Sequence, residues 1–117
     1  MKDPRCIVTI ERTQVGDKVV LLVSGRMDAE NAPQFQNKCE SDISQGITCL
    51  VVDLGDLAYV SSMGLRSFVA VGKMLQDKGG KLRICRLNGL VKQVFEITRL
   101  NTVFPLHDSV EAALAEG

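Results

Sequence analysis

The segment Leu57-Ala58-Tyr59-Val60-Ser61-Ser62-Met63-Gly64-Leu65-Arg66 holds the densest chemistry in the chain. Two hydroxyls stand just ahead of an amphipathic stripe, and a glycine falls inside what would be the stripe's first turn. A serine has an ordinary use there, because its oxygen accepts one of the orphan N–H groups of a helix N-terminus, worth about 1 kcal/mol. The glycine is less ordinary: inside a helix it costs about 1 kcal/mol against alanine, and its presence predicts a close approach to the backbone at that point. A phosphate on such a hydroxyl would face free N–H groups and the positive end of the helix dipole. On residue types alone, capping outweighs modification at this pair.

The remaining reactive types are sparse. Asp53 ends an apolar run, as the acceptor of a receiver domain would, but the acidic pair that would hold Mg²⁺ is missing after residues 19–23, where only Asp28 stands near. Asp53 is therefore read as a strand-end or turn residue. Lys78-Gly79-Gly80-Lys81 lacks the spacing of a phosphate-binding loop and follows a helical stripe, so it reads as a helix stop. His107 has no partner at catalytic spacing and is expected to be exposed before the last helix. Cys6, Cys39, Cys49 and Cys85 form no CxxC pair; Cys39 and Cys49 read as small core residues, and neither a zinc site nor a disulfide framework is expected. No cofactor or metal is expected.

These residues need elements to position them. Ile7 to Arg12 alternates loosely; the apolar runs 19–23 and 48–54 are continuous, as in strands covered on both faces of a parallel sheet. Leu82, Ile84 and Cys85 mark a fourth strand, and residues 103–106 a short fifth, held to an edge because Pro105 cannot donate to a ladder. Between them lie helical stripes: Ala32, Phe35, Cys39 and Ile43; then Leu65, Phe68, Val69, Gly72 and Leu75; then Leu90, Val91, Val94 and Phe95 after a plausible N-cap at Asn88. Asp108 with Glu111 resembles a capping box opening a terminal helix to Ala115. The order ββαβαβαβα predicts one α/β domain over residues 1–117, with a mixed, mostly parallel sheet of about five strands and four helices.

Composition narrows the function. The 117 residues carry 14 Lys+Arg against 14 Asp+Glu, a net charge of zero with no basic cluster, which argues against a dedicated nucleic-acid or anionic-membrane binder. One His, one Tyr and no Trp leave little for a His-based metal site or a base-stacking platform. Residues 1–6 do not read as a signal peptide and no apolar run approaches the ~20 residues of a membrane span, so a cytoplasmic location is expected. In an open α/β sheet, ligands and partners meet the loops at the carboxyl ends of the strands. Here that edge gathers Asp28, Asn31, Ser61, Ser62 and Asn88. Arg66, Lys73, Asp77 and Lys78 read as the solvated face of the second helix, from which Arg66 and Lys73 could join a partner surface.

The pair Ser61-Ser62 followed by Met63-Gly64-Leu65 is similar to the phosphorylation loop of STAS domains, the family of bacterial anti-sigma-factor antagonists. Gly25-Arg26-Met27-Asp28 resembles the family's Gly-x-hydrophobic-Asp loop before the first helix, and the element order agrees along essentially the whole chain. The resemblance implies partner switching. An unphosphorylated antagonist binds an anti-sigma factor that is also a serine kinase, phosphorylation at Ser62 releases it, and a metal-dependent serine phosphatase resets it. By this resemblance Asp28 lies in the partner-facing loop; together with the strand-end edge and the face of the second helix, partner contacts are expected at Asp28, Asn31, Tyr59, Ser61, Ser62, Met63, Gly64 and Arg66, with no catalytic residue, no nucleic acid and no membrane. Two departures stand out: Ser61 replaces a common Asp and becomes a competing acceptor, and Met63 replaces a commonly small residue. An accessory STAS subunit of a transporter or signalling scaffold, with Ser62 only a cap, is the alternative; a small nucleotide-binding or phosphotransfer enzyme is a third, disfavoured by the missing phosphate loop and nucleophile–base pair.

Overall fold

Strand β1 (Val8–Val15) and strand β2 (Lys18–Met27) pair as an antiparallel hairpin in the computed structural model, which describes residues 7–115. The readings made for residues 1–6, including Cys6, fall outside that span. The turn is Gly16-Asp17, with Gly16 at φ +63°, a left-handed conformation open to glycine without a Cβ clash. β2 begins with the expected apolar run but continues past Ser24-Gly25 to Met27. Its first half, Lys18 to Leu22, lies parallel to β3 (Cys49–Asp53); its second, Gly25 to Met27, lies parallel to β4 (Leu57–Val60). Outside β3 come β5 (Lys81–Cys85) and β6 (Leu106–His107), both parallel. The sheet order is β1-β2-β3-β5-β6, with β4 beside the far end of β2.

The sheet is mixed and mostly parallel as read, but has six strands rather than about five. The addition is β4, whose residues carry no strand pattern in the sequence. The last strand lies at the edge as Pro105 required, yet it starts at Leu106; Phe104 instead tucks its ring against Gly72.

Helices α1 (Ala32–Ser44), α2 (Ser62–Asp77) and α3 (Gly89–Ile97) cover one face of the sheet. Their phenylalanines meet in the middle: Phe35 and Phe68 have ring centroids 4.7 Å apart, Phe68 and Phe95 5.6 Å. Such tilted and edge-on pairs add to the burial energy of the rings themselves. Helix α2 stops where Lys78-Gly79-Gly80 predicted, the Gly80 N–H turning back to the Leu75 carbonyl at 2.7 Å. Among the described residues, the helix on the second face is α4 (Val110–Ala115), packed over Val20, Val51 and Cys85. Lys18 Nζ donates to the Leu114 carbonyl and Arg83 Nη1 to that of Ala113, each at 2.8 Å, so two cations close the negative end of this short helix. The expected Asp108 cap does not form; Ser109 Oγ accepts from the Ala112 N–H at 3.1 Å instead.

Candidate functional site

The site is built where β2 and β4 end side by side. Met27 lies opposite Val60 in the parallel register, so Asp28 and Ser61 follow as neighbours, and the Ser61 N–H donates to the Met27 carbonyl at 2.8 Å. Ser61 has extended backbone (φ −85°, ψ 171°) and is the N-cap of α2, its Oγ accepting from the Gly64 N–H at 3.2 Å. Ser62 is the first helical residue, and its side chain is exposed. Capping and exposure are therefore divided between the two serines: Ser61 holds the helix end, and the Ser62 hydroxyl faces outward.

Gly64, expected among the partner contacts, is buried. A Cβ there would lie 2.7 Å from Val60 Cγ2 and 2.9 Å from Met27 Sδ. The close approach that this glycine predicted is real, but it comes from the protein's own interior. It lets the first turn of α2 settle onto the ends of β2 and β4, which fixes Ser62 relative to Asp28.

The loop after β2 is tied into a closed ring. Asp28 Oδ1 accepts from the Asn31 N–H at 2.8 Å, Asn31 Oδ1 accepts from the Asp28 N–H at 2.9 Å, and Asn31 Nδ2 donates to the Arg26 carbonyl at 2.9 Å. Asn31, expected among the partner contacts, is only 1% exposed and shapes the loop from within. Asp28 is half-buried at the rim. Tyr59 is half-buried beneath the Arg26 guanidinium, which sits 4.5 Å from the ring centroid. Met63 is 41% exposed, and Arg66 is exposed one turn beyond Ser62. The outward-facing group is thus Ser62, Met63 and Arg66, flanked by Asp28, Tyr59 and Ser61.

The third loop of this edge adds Arg86, which the sequence did not single out, to Asp53 and Asn88, which it did. Asp53, almost fully buried, accepts from the Gly55 N–H at 2.9 Å and from Arg86 Nε at 2.8 Å on the same oxygen. Arg86 takes a left-handed backbone (φ +56°), and its guanidinium occupies the space a side chain on Gly55 would need. The hydrogen bond and charge of Asp53 raise the Arg86 pKa above its ordinary value. Asn88 stands at the N-cap position of α3 but caps nothing; it donates to the carbonyls of Arg86 at 2.7 Å and Gly55 at 3.2 Å. Asp53 is a lock between strand ends, in keeping with its structural reading. His107 lies half-buried in β6, not exposed ahead of α4. Burial pushes the Cys85 thiol up to about 11 and the Cys39 thiol higher still, so both are held as unreactive thiols. Among the described residues no group of three or more His, Cys, Asp or Glu could hold a metal, and no helix is long and apolar enough to cross a membrane.

A six-stranded mixed sheet with three helices on one face is the layout of a STAS domain. The STAS family model matches residues 8–113, and the chain belongs to that family. Among its relatives is BtrV of Bordetella bronchiseptica, provisionally named an anti-sigma factor antagonist, which is 34% identical over 102 residues covering 87% of this chain and 88% of its own. The anti-sigma-B factor antagonist of Bacillus subtilis is 26% identical over 107 residues, 92% of this chain and 97% of its own. Among solved structures, the Bacillus anti-sigma factor antagonist SpoIIAA shares the fold at 21% identity in its unphosphorylated form, with a TM-score of 0.78 over 89% of this chain and 92% of its own. Its phosphorylated form matches at 20% identity with a TM-score of 0.71, over 91% and 96%.

Proposed function

We propose that the chain is an anti-sigma factor antagonist that binds its partner through the Asp28–Ser62 edge and is released by phosphorylation of Ser62. The observation that carries this reading is the division of labour between the serines: Ser61 supplies the cap, so the exposed Ser62 hydroxyl is spare for chemistry. The names of the BtrV and Bacillus subtilis relatives support the antagonist role, and the existence of SpoIIAA in phosphorylated and unphosphorylated forms supports the switch.

In the transfer, Ser62 Oγ forms a bond to the terminal phosphorus of ATP held by the anti-sigma factor kinase. The bond from that phosphorus to the bridging oxygen of ADP breaks, and the hydroxyl proton passes to a base on the kinase. The product carries about −1.5 to −2 charge at neutral pH. It sits on the same rim as Asp28, so a partner surface that fits the neutral hydroxyl meets concentrated negative charge. A loss of about 3 kcal/mol in binding weakens the complex more than a hundredfold, enough to work a switch. A metal-dependent serine phosphatase hydrolyses the ester and restores the hydroxyl.

Incubation with the serine-kinase anti-sigma factor of the same organism and ATP tests the reading by intact mass. One added phosphate, absent in Ser62→Ala, is the expected result. An unchanged mass, or a phosphate that survives in Ser62→Ala, overturns it.

A further inference from the structure

The sequence stripe of α2 is wider than the face the helix buries. Phe68, Val71 and Leu75 enter the core, while Val69 is 44% exposed and Leu65 only half-buried. Both border a groove between α2 and residues 98–105. It consists of two concavities of about 350 and 490 Å³ that share Val69. The first begins at Ser62 and runs over Leu65 to Leu100; the second continues to Val103, itself 60% exposed.

The rim of this groove is charged on one side only. Arg66, Lys73 and Lys81 line it and no carboxylate does, in a chain whose total charge is zero. None of the three cations makes an ion pair among the described residues. An apolar floor with unpaired cations at its edge fits an apolar segment bearing carboxylates. The groove opens at the residue whose modification is proposed to govern binding, so one partner would span both.

We infer that the α2 groove docks an apolar, acidic segment of the anti-sigma factor, with Arg66 as the charged anchor at the Ser62 end. This rests on the partner-switching reading of Ser62 and extends it. Ser62 and Arg66 stand four residues apart on one helix, the spacing at which side chains meet, and both line the same concavity. A phosphate on Ser62 is a stronger partner for the guanidinium than a carboxylate across an interface, because its oxygens accept the Arg fork with more charge. Phosphorylation therefore draws Arg66 back along its own helix and sets negative charge at the mouth of a groove that held an acidic chain. The groove loses its anchor and repels its occupant in one event.

The test measures binding of the full chain to the purified serine-kinase anti-sigma factor at low salt, with folding checked by thermal unfolding. Val69→Asp and Lys73→Glu are expected to weaken binding at least ~10-fold, while Lys73→Arg and Thr13→Glu, the latter on the opposite face of the sheet, stay within about twofold. Lys73 is exposed, so its reversal reads out even if Val69→Asp unfolds. If Ser62→Glu abolishes binding and both groove variants bind as wild type, the groove assignment falls and the Ser62 reading stands. If none of the three weakens binding, both fall. If the groove variants instead abolish self-association of this chain without weakening its binding to the kinase, the occupant is a second copy and the inference is wrong. A partner-independent arm installs phosphoserine at position 62 and follows its ³¹P titration. The second phosphate pKa should lie about half a unit lower in wild type than in Arg66→Gln, since a nearby cation favours the dianion. Equal values overturn the coupling to Arg66.

Discussion

Exchanging the two serines separately for alanine should give opposite phenotypes. Ser61 Oγ takes up the Gly64 N–H, and at 3.2 Å this is a cap of ordinary strength, so Ser61→Ala should cost about 1 kcal/mol. For a domain of this size, that lowers the thermal midpoint by about 4 °C. Ser62 occupies the first helical position with its hydroxyl outside, where alanine is the better helix former, so Ser62→Ala should change stability by less than about 0.5 kcal/mol, in the stabilising direction. Phosphorylation should run the other way, with Ser61→Ala still accepting one phosphate and Ser62→Ala none. Urea unfolding followed by circular dichroism, paired with intact mass after kinase treatment, reads both properties on the same samples. A Ser61→Ala protein as stable as wild type would refute the cap. Retained phosphorylation of Ser62→Ala, lost in Ser61→Ala, would refute the division of labour between the hydroxyls.

Three further outcomes follow from the packing. Gly64→Ala gains about 1 kcal/mol of helix propensity but forces a methyl against Val60 and Met27, an overpacking cost of about 1–3 kcal/mol, so a net loss near 1 kcal/mol is expected in urea unfolding; a stabilised variant would show that both neighbours yield. Arg86→Gly and Arg86→Ala both strip Asp53 of its cation, but only glycine also relieves the left-handed backbone, so Ala should be the worse by about 1 kcal/mol in thermal unfolding, and equal losses would remove backbone strain from the account. Cys85 keeps its proton in the folded state up to about 11, whereas an unfolded thiol loses it near ~8.5. Between those values the unfolded chain binds fewer protons, so stability falls as pH rises, by up to about 1 kcal/mol per unit for this thiol. Cys85→Ala should flatten that slope, and an unchanged slope would mean that other groups govern alkaline unfolding.

The parts of the fold that were legible in the sequence are those with strong local patterns. The runs 19–23 and 48–54, the helical stripes and the stop at Lys78-Gly79-Gly80 all became the elements expected of them. β4 was not legible because Leu57-Ala58-Tyr59-Val60 is four residues long and its buried positions, Leu57 and Val60, do not alternate. Its partner, the second half of β2, reads Ser24-Gly25-Arg26-Met27, which looks like a run ending rather than a strand continuing. Each segment becomes a strand only through the other. The same holds at the site. Ser61, Ser62 and Asp28 could be found from local motif, but burial of Asn31 and Gly64 depends on which strands end beside each other. Arg86 was invisible because it acts on Asp53 from 33 residues away, as an ordinary surface cation would appear in sequence. Val69 misled in the opposite sense: its spacing fits the core stripe, yet the wall formed by residues 98–105 stands too far out to cover it.

Because β2 runs from β3 along its first half to β4 along its second, with an irregularity at Gly25-Arg26 where Gly25 takes φ +93° and the register to β4 shifts, it works as a ruler shared by the scaffold and the edge proposed for docking. The distance from the core to Asp28 is measured out in peptide units, not in loop residues. One residue added to β2 beyond Leu22 would slide that edge by about 3.3 Å and turn its side chains to the other face. If that edge docks partners as proposed, drift in the identities of its residues would change which partner is chosen, whereas a change in the length of this ruler would silence the edge for every partner at once, with each of its residues intact.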